Sequence, residues 1–152
     1  MARMHIHIAV DDLEANIRFY SALFGAEPNV IKSDYAKWKL ADPAVNFAIS
    51  DRGRPPGLDH VGIQADSDEG LAALRARLEA ADISGAEQQS AGCCYARSDK
   101  YWVQDPQGIP WEAFHTLESI PTFGDDQEPA LANQDCAGSA CCVPTIPVPF
   151  TR

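Results

Sequence analysis

The chain has 152 residues, 45% of them hydrophobic and 22% charged, a composition that excludes a fibrous, repetitive or wholly disordered protein. Twelve basic against 22 acidic residues give a net charge of −10, which repels phosphates and argues against a nucleic-acid or anionic-membrane partner. No window approaches the roughly 20 apolar residues of a membrane span, so a cytoplasmic location is expected.

The first predicted element is a strand at His5-Ile6-His7-Ile8-Ala9-Val10-Asp11, and the pattern returns at an offset of 55 residues in His60-Val61-Gly62-Ile63-Gln64-Ala65-Asp66. A helix follows each copy. Asp11 with Glu14, and Asp66 with Glu69, are matching N-cap and N3 residues, an acidic form of the capping box. Leu13, Ile17, Tyr20 and Phe24 share one face of the first helix, which Gly25 is placed to end; Leu71, Leu74 and Leu78 share a face of the second. Short runs suited to strands come next: 29–32, 37–40 and 45–49 in the first half, then 94–97, 101–104 and 111–114 in the second.

The expected fold class is therefore α+β, two βαβββ modules at about 3–50 and 58–117, joined through 51–57, in one domain over 1–118. The helices would cover one face of the sheet and leave the concave face as a shared cleft. From Ser119 onward Pro, Gly, Asp and Ala break up the apolar residues, which reads as a poorly structured tail over 119–152 containing Cys136, Cys141 and Cys142.

Three residues suit a metal in that cleft. His5 and His60 are repeat mates on the first strand of each module, and Glu112 is a lone carboxylate among apolar neighbours, where an unpaired charge is costly. Two His and one carboxylate with open positions suit Fe(II) and dioxygen chemistry, and Mn, Co or Zn could occupy the same set. His7 shares the strand face of His5 and ranks second, because its repeat mate is Gly62. His115 lies three residues from Glu112, on the opposite face. The first module has Asn46 where the second has Glu112, when 46–48 is set against 112–114; an amide is the weaker ligand, so three protein ligands and an open side are expected.

Five cysteines, an odd number that includes two adjacent doublets, disfavour a secreted disulfide framework. The doublet Cys93-Cys94 stands at the entrance of a second-module strand, where alternation alone would bury one sulfur and expose the other. Two adjacent thiolates can also chelate trivalent arsenic, antimony or cadmium, helped by positive charge from Arg97, Lys100 or a metal.

The run CCYARSDKYWVQDPQGIPWE over 93–112, with the His5 and His60 motifs, resembles the C-As lyase and cadmium-induced protein family of the vicinal oxygen chelate superfamily, across roughly residues 3 to 117. Departures are Ala91-Gly92, Arg97-Ser98 and Ile109, none of which removes a ligand. The resemblance implies a non-haem Fe(II), oxygen-dependent enzyme that cleaves trivalent organoarsenicals such as methylarsenite to arsenite. It implies His5, His60 and Glu112 as the Fe(II) ligands, Cys93 and Cys94 as the arsenic-binding pair, dioxygen as co-substrate and a homodimer as an assembly common to such modules. Two other functions fit the residues: a cadmium- or arsenite-binding protein without turnover, and a glyoxalase-like isomerase or thiol transferase, which leaves Cys93-Cys94 unexplained.

Overall fold

In the computed structural model, which describes residues 2–124, the elements run β1 (Arg3–Ala9), α1 (Leu13–Phe24), β2 (Val30–Lys32), β3 (Tyr35–Leu40), β4 (Val45–Ser50), β5 (Gly57–Ala65), α2 (Asp68–Glu79), β6 (Ala86–Cys93), β7 (Ala96–Gln104) and β8 (Pro110–Ser119). The eight strands form one sheet in the order β2-β3-β4-β1-β5-β8-β7-β6. The two βαβββ modules expected from the repeat are both present, and β1 and β5 join them by antiparallel pairing. Each module's first strand runs parallel to its own last strand, β1 with β4 and β5 with β8.

The helices cover one face as their apolar spacing requires. Leu13, Ile17, Tyr20 and Phe24 pack on Val10, Ala36, Trp38, Val45, Phe47 and Ile49, while Leu71, Leu74 and Leu78 pack on Tyr101, Val103 and Ala113. Both N-caps fall one residue later than the capping-box reading placed them. Asp12 accepts from the Ala15 N–H at 2.8 Å and Ser67 from the Gly70 N–H at 3.2 Å. In each case two consecutive residues can cap, and backbone geometry selects the second. Gly25 ends α1 at φ 62°, a left-handed conformation that glycine adopts without steric cost.

The second module differs from its expected strands. The expected strand over 94–97 holds only at its end: Cys94 and Tyr95 make the turn of the β6-β7 hairpin, and β7 runs unbroken from Ala96 to Gln104. The first strand of that hairpin is β6, AEQQSAGC, whose polar, partly exposed edge carries no alternating apolar signal. β8 extends to Ser119, and residues 120–124 turn back on the hairpin: Ile120 N–H donates to the Tyr95 carbonyl at 3.0 Å, and Gly124 bridges Cys93. Cys136, Cys141 and Cys142 lie outside the described residues. Among the described residues no helix is long and apolar enough to cross a membrane.

Candidate metal centre and thiol pair

With the helices on one face, odd-numbered residues of β1 turn to the other. His5 and His7 are both buried there, at 6% and 3% exposure, and meet His60 of β5 (2%) and Glu112 of β8 (4%). His5 Nε2 lies 3.1 Å from His60 Nε2, and Glu112 Oε2 lies 3.7 Å from the first and 3.6 Å from the second. An ion about 2.0 to 2.1 Å from each of three ligands requires them roughly 3.0 to 3.4 Å apart, close to the spacings found.

The outer hydrogen bonds make the fit chemical as well as geometric. His5 Nδ1 donates to the Asn46 carbonyl at 3.0 Å, and His60 Nδ1 donates to Asp59 Oδ1 at 2.7 Å. A carbonyl cannot donate and an ionised carboxylate cannot either, so both Nδ1 atoms carry the proton, and in its neutral form each ring presents a bare Nε2 lone pair toward Glu112 Oε2. Three lone pairs converging at this distance repel one another unless a cation or a proton lies among them.

The charges of the site follow from its surroundings. Burial pushes the Glu112 carboxyl up, but the Lys100 ammonium, with Nζ 2.6 Å from Oε1, and the two imidazoles more than reverse this and hold it well below the usual carboxylate range. Lys100, itself 5% exposed, is disfavoured as a cation by burial, yet Glu112 restores it and keeps it charged. Burial lowers His5 to about 4, with Glu112 opposing. For His60 the burial penalty is outweighed by hydrogen bonds to Asp59 and Glu112, and its pKa is raised. Glu112 is thus divided: Oε1 is committed to Lys100, and Oε2 faces the two histidines.

His7, the second-ranked residue, is brought in as well. His5, His7 and His60 form a group able to hold a metal ion, their ligand atoms within 4.8 Å of one another. The His7 Nε2 is 2.9 Å from Ser50 Oγ, whereas its Nδ1 is buried without a hydrogen-bond partner among the described residues. His115, expected on the opposite face, bonds Asp68 of α2 at 2.8 Å, away from the centre.

Cys93 and Cys94 do not follow strand alternation. Cys93 pairs with Ala96, so Cys94 and Tyr95, at φ 59° and 60°, form a two-residue hairpin turn with both residues left-handed. Asn-Gly is the usual occupant, and a Cys-Tyr pair there is strained, a feature that concentrates at functional sites. The turn brings the two sulfurs to 2.7 Å from each other. The Cys94 thiol is pushed up to about 12 by burial, with Lys100 pulling it down; Glu112, Asp59 and Lys37 also act on it, so the sulfur lies within electrostatic reach of the histidine-carboxylate centre. Tyr95 ties the turn to the other module, its hydroxyl donating to Asp34 Oδ1 at 2.5 Å.

A family model described as the glyoxalase/bleomycin resistance protein/dioxygenase superfamily matches residues 3–113. The chain belongs to this superfamily. It is 38% identical over 149 residues to a trivalent organoarsenical cleaving enzyme of Bacillus sp. (strain MD1), covering 95% of this chain and 92% of the relative. It is 36% identical over 143 residues to the cadmium-induced protein CadI of Mycobacterium bovis, covering 93% of each. Among solved structures, the Mn(II)-bound glyoxalase from Novosphingobium aromaticivorans aligns with a TM-score of 0.57 at 22% identity, over 79% of this chain and 42% of that one. An extradiol ring-cleaving dioxygenase from B. fuscum aligns with a TM-score of 0.58 at 16% identity, over 78% and 33%. At these identities the structures share the fold.

As in any duplicated superfamily domain, each position has an equivalent in the other module. Strand pairing places Glu112 opposite Gly62, and the equivalent pair in the first module is His7 opposite Ala48. The residue equivalent to Glu112 is therefore Ala48, not Asn46. An alanine offers no ligand atom, so the first module contributes no ligand from this position, while buried Asn46 supplies the carbonyl for His5 and bonds Gln64 Oε1 at 3.1 Å. Lys100 and Asp59 are the residues that sequence reasoning did not attach to the centre; the charge of Lys100 was visible, its partner was not.

Proposed function

We propose that this chain is a metal-dependent lyase that cleaves the carbon-arsenic bond of trivalent organoarsenicals, such as methylarsenite and reduced aromatic arsenicals, to arsenite. His5, His60 and Glu112 hold Fe(II), Cys93 and Cys94 bind arsenic, and dioxygen is the co-substrate. The observation that carries this reading is the convergence of His5, His60 and Glu112 together with a pair of sulfurs 2.7 Å apart, of which Cys94 lies within electrostatic reach of Glu112 and Lys100. Relatives named as trivalent organoarsenical cleaving enzymes, 33% to 38% identical over nearly the whole chain, support it.

Bound Fe(II) supplies the redox chemistry that activates dioxygen, and three protein ligands leave coordination positions for it. The protein's own part is to fix the arsenical. With both cysteines reduced, R–As(OH)2 exchanges two hydroxyls for two As–S bonds and releases two waters, which leaves R as the third substituent on arsenic. Holding arsenic at two points removes rotational freedom from the substrate before its carbon meets the co-substrate. The left-handed turn, tied through Tyr95 to Asp34, sets the direction of the clamp.

Aerobic incubation of the Fe(II)-loaded, reduced protein with methylarsenite tests the proposal. Arsenite is the expected product, Glu112→Gln is expected to lose iron, and replacing Cys93 and Cys94 by Ser is expected to abolish turnover while iron stays bound. The names of the cadmium-induced relatives favour a second reading, sequestration of a thiophilic ion without turnover. Unchanged methylarsenite held stoichiometrically would decide for it.

A further inference from the structure

We infer that Asp59, anchored by Arg54, is the positioning residue of the metal centre, the outer carboxylate that orients His60 and strengthens it as a ligand. The inference rests on the proposed role of His60.

Neighbours along a strand normally point to opposite faces, which would set Asp59 away from His60. Here the β1-β5 ladder slips. His7 is opposite His60 and Ile8 is opposite Leu58, so Asp59 is an extra residue without a partner in the ladder. This is a β-bulge, a device that re-aims a side chain beside a site. Its effect is that the Asp59 carboxylate, 8% exposed, reaches the ring of the residue that follows it.

Both carboxylate oxygens are used. Oδ1 accepts from His60 Nδ1 at 2.7 Å, and Oδ2 lies 2.8 Å from Arg54 Nε, which comes from the segment linking the modules. The Arg54 contact holds the second oxygen and so fixes the direction in which the carboxylate faces. The two histidines are therefore unequal ligands: His5 donates to a neutral backbone carbonyl at 3.0 Å, His60 to an anion at a shorter distance. A carboxylate on the far nitrogen locks the tautomer, fixes the ring plane and raises the basicity of the near nitrogen, and losing such a partner typically weakens metal binding by about 10- to 100-fold.

Cobalt(II) binding to the full chain, read by competition against a chromophoric chelator and by the d-d absorption bands, tests this without reference to turnover. Asp59→Ala is expected to weaken Co(II) about 10- to 100-fold and to shift the bands. Asp59→Asn, which keeps an acceptor oxygen and the shape of the residue but loses the charge, is expected to lose several-fold to about tenfold, with a smaller but resolved shift. Arg54→Met is expected to lose only a few-fold, a deficit that shrinks as salt screens the exposed guanidinium. Wild-type affinity and bands in Asp59→Ala would overturn the inference; should that variant fail to fold, wild-type affinity and bands in Asp59→Asn would do so. His60→Ala is the control for the underlying reading: if it still binds Co(II), His60 is not a ligand and that reading fails first.

Discussion

Lys100 shows how much one buried side chain can hold in this protein. Its ammonium and the Glu112 carboxylate are both withdrawn from water, and each is tolerable because the other is 2.6 Å away. Lys100→Met removes one partner and strands the other, so the metal-free protein should lose about 3 to 5 kcal/mol in urea unfolding. A bound cation at Oε2 would take over part of that compensation. Loading the variant with Co(II) should therefore recover more stability than loading the wild type, and equal gains would contradict the pairing. The charge of Lys100 and the isolation of Glu112 were each legible in the sequence. Their partnership was not, because it depends on register: Lys100 sits opposite Phe114 and Trp102 opposite Glu112, a diagonal across β7 and β8 that no local pattern specifies.

Among the elements, β5 and β8 approach each other closely at Gly62. A Cβ at this position would overlap the Glu112 carbonyl oxygen and crowd its side chain. Gly62→Ala should separate the two strands, cost more than about 2 kcal/mol by the usual scale of overpacking, and lower Co(II) affinity with it. A variant of normal stability and affinity would show that the strands can yield there. The same element level explains where the sequence was readable. Both helices were, because their apolar residues recur at three- and four-residue spacing and nothing else produces that period. β6 was not: its residues are polar and small, and it exists because β7 offers an edge to pair with. The turn at Cys94-Tyr95 was hidden for a related reason. Neither residue favours a left-handed backbone, so strand propensity read through it, and the flanking register of Cys93 with Ala96 overrules that propensity.

At the scale of the whole molecule, the proposed ligands come from β1 of one module and from β5 and β8 of the other. A metal held by them would bridge the two halves and bind only when they are docked. By linkage, an ion at a hundred times its Kd should stabilise the fold by about 2.7 kcal/mol, visible as a rise in Tm that a chelator reverses. His60→Ala should abolish the rise; a rise that survives in this variant would place the ion elsewhere.

What the sequence determined by itself is what repetition and period can carry: two βαβββ modules, the buried faces of both helices, and the pairing of His5 with His60 through matching places in a duplicated unit. These are properties of short segments, each decided by contacts within a few residues or copied from one half to the other. The tertiary structure alone decided that Ala48 rather than Asn46 is the equivalent of Glu112, that Lys100 divides Glu112 between an ammonium and the histidines, and that a bulge turns Asp59 onto His60. Each of those depends on the register between strands far apart in the chain. Register is chosen by the packing of the entire sheet, and a shift of one residue would send every one of these side chains to the other face.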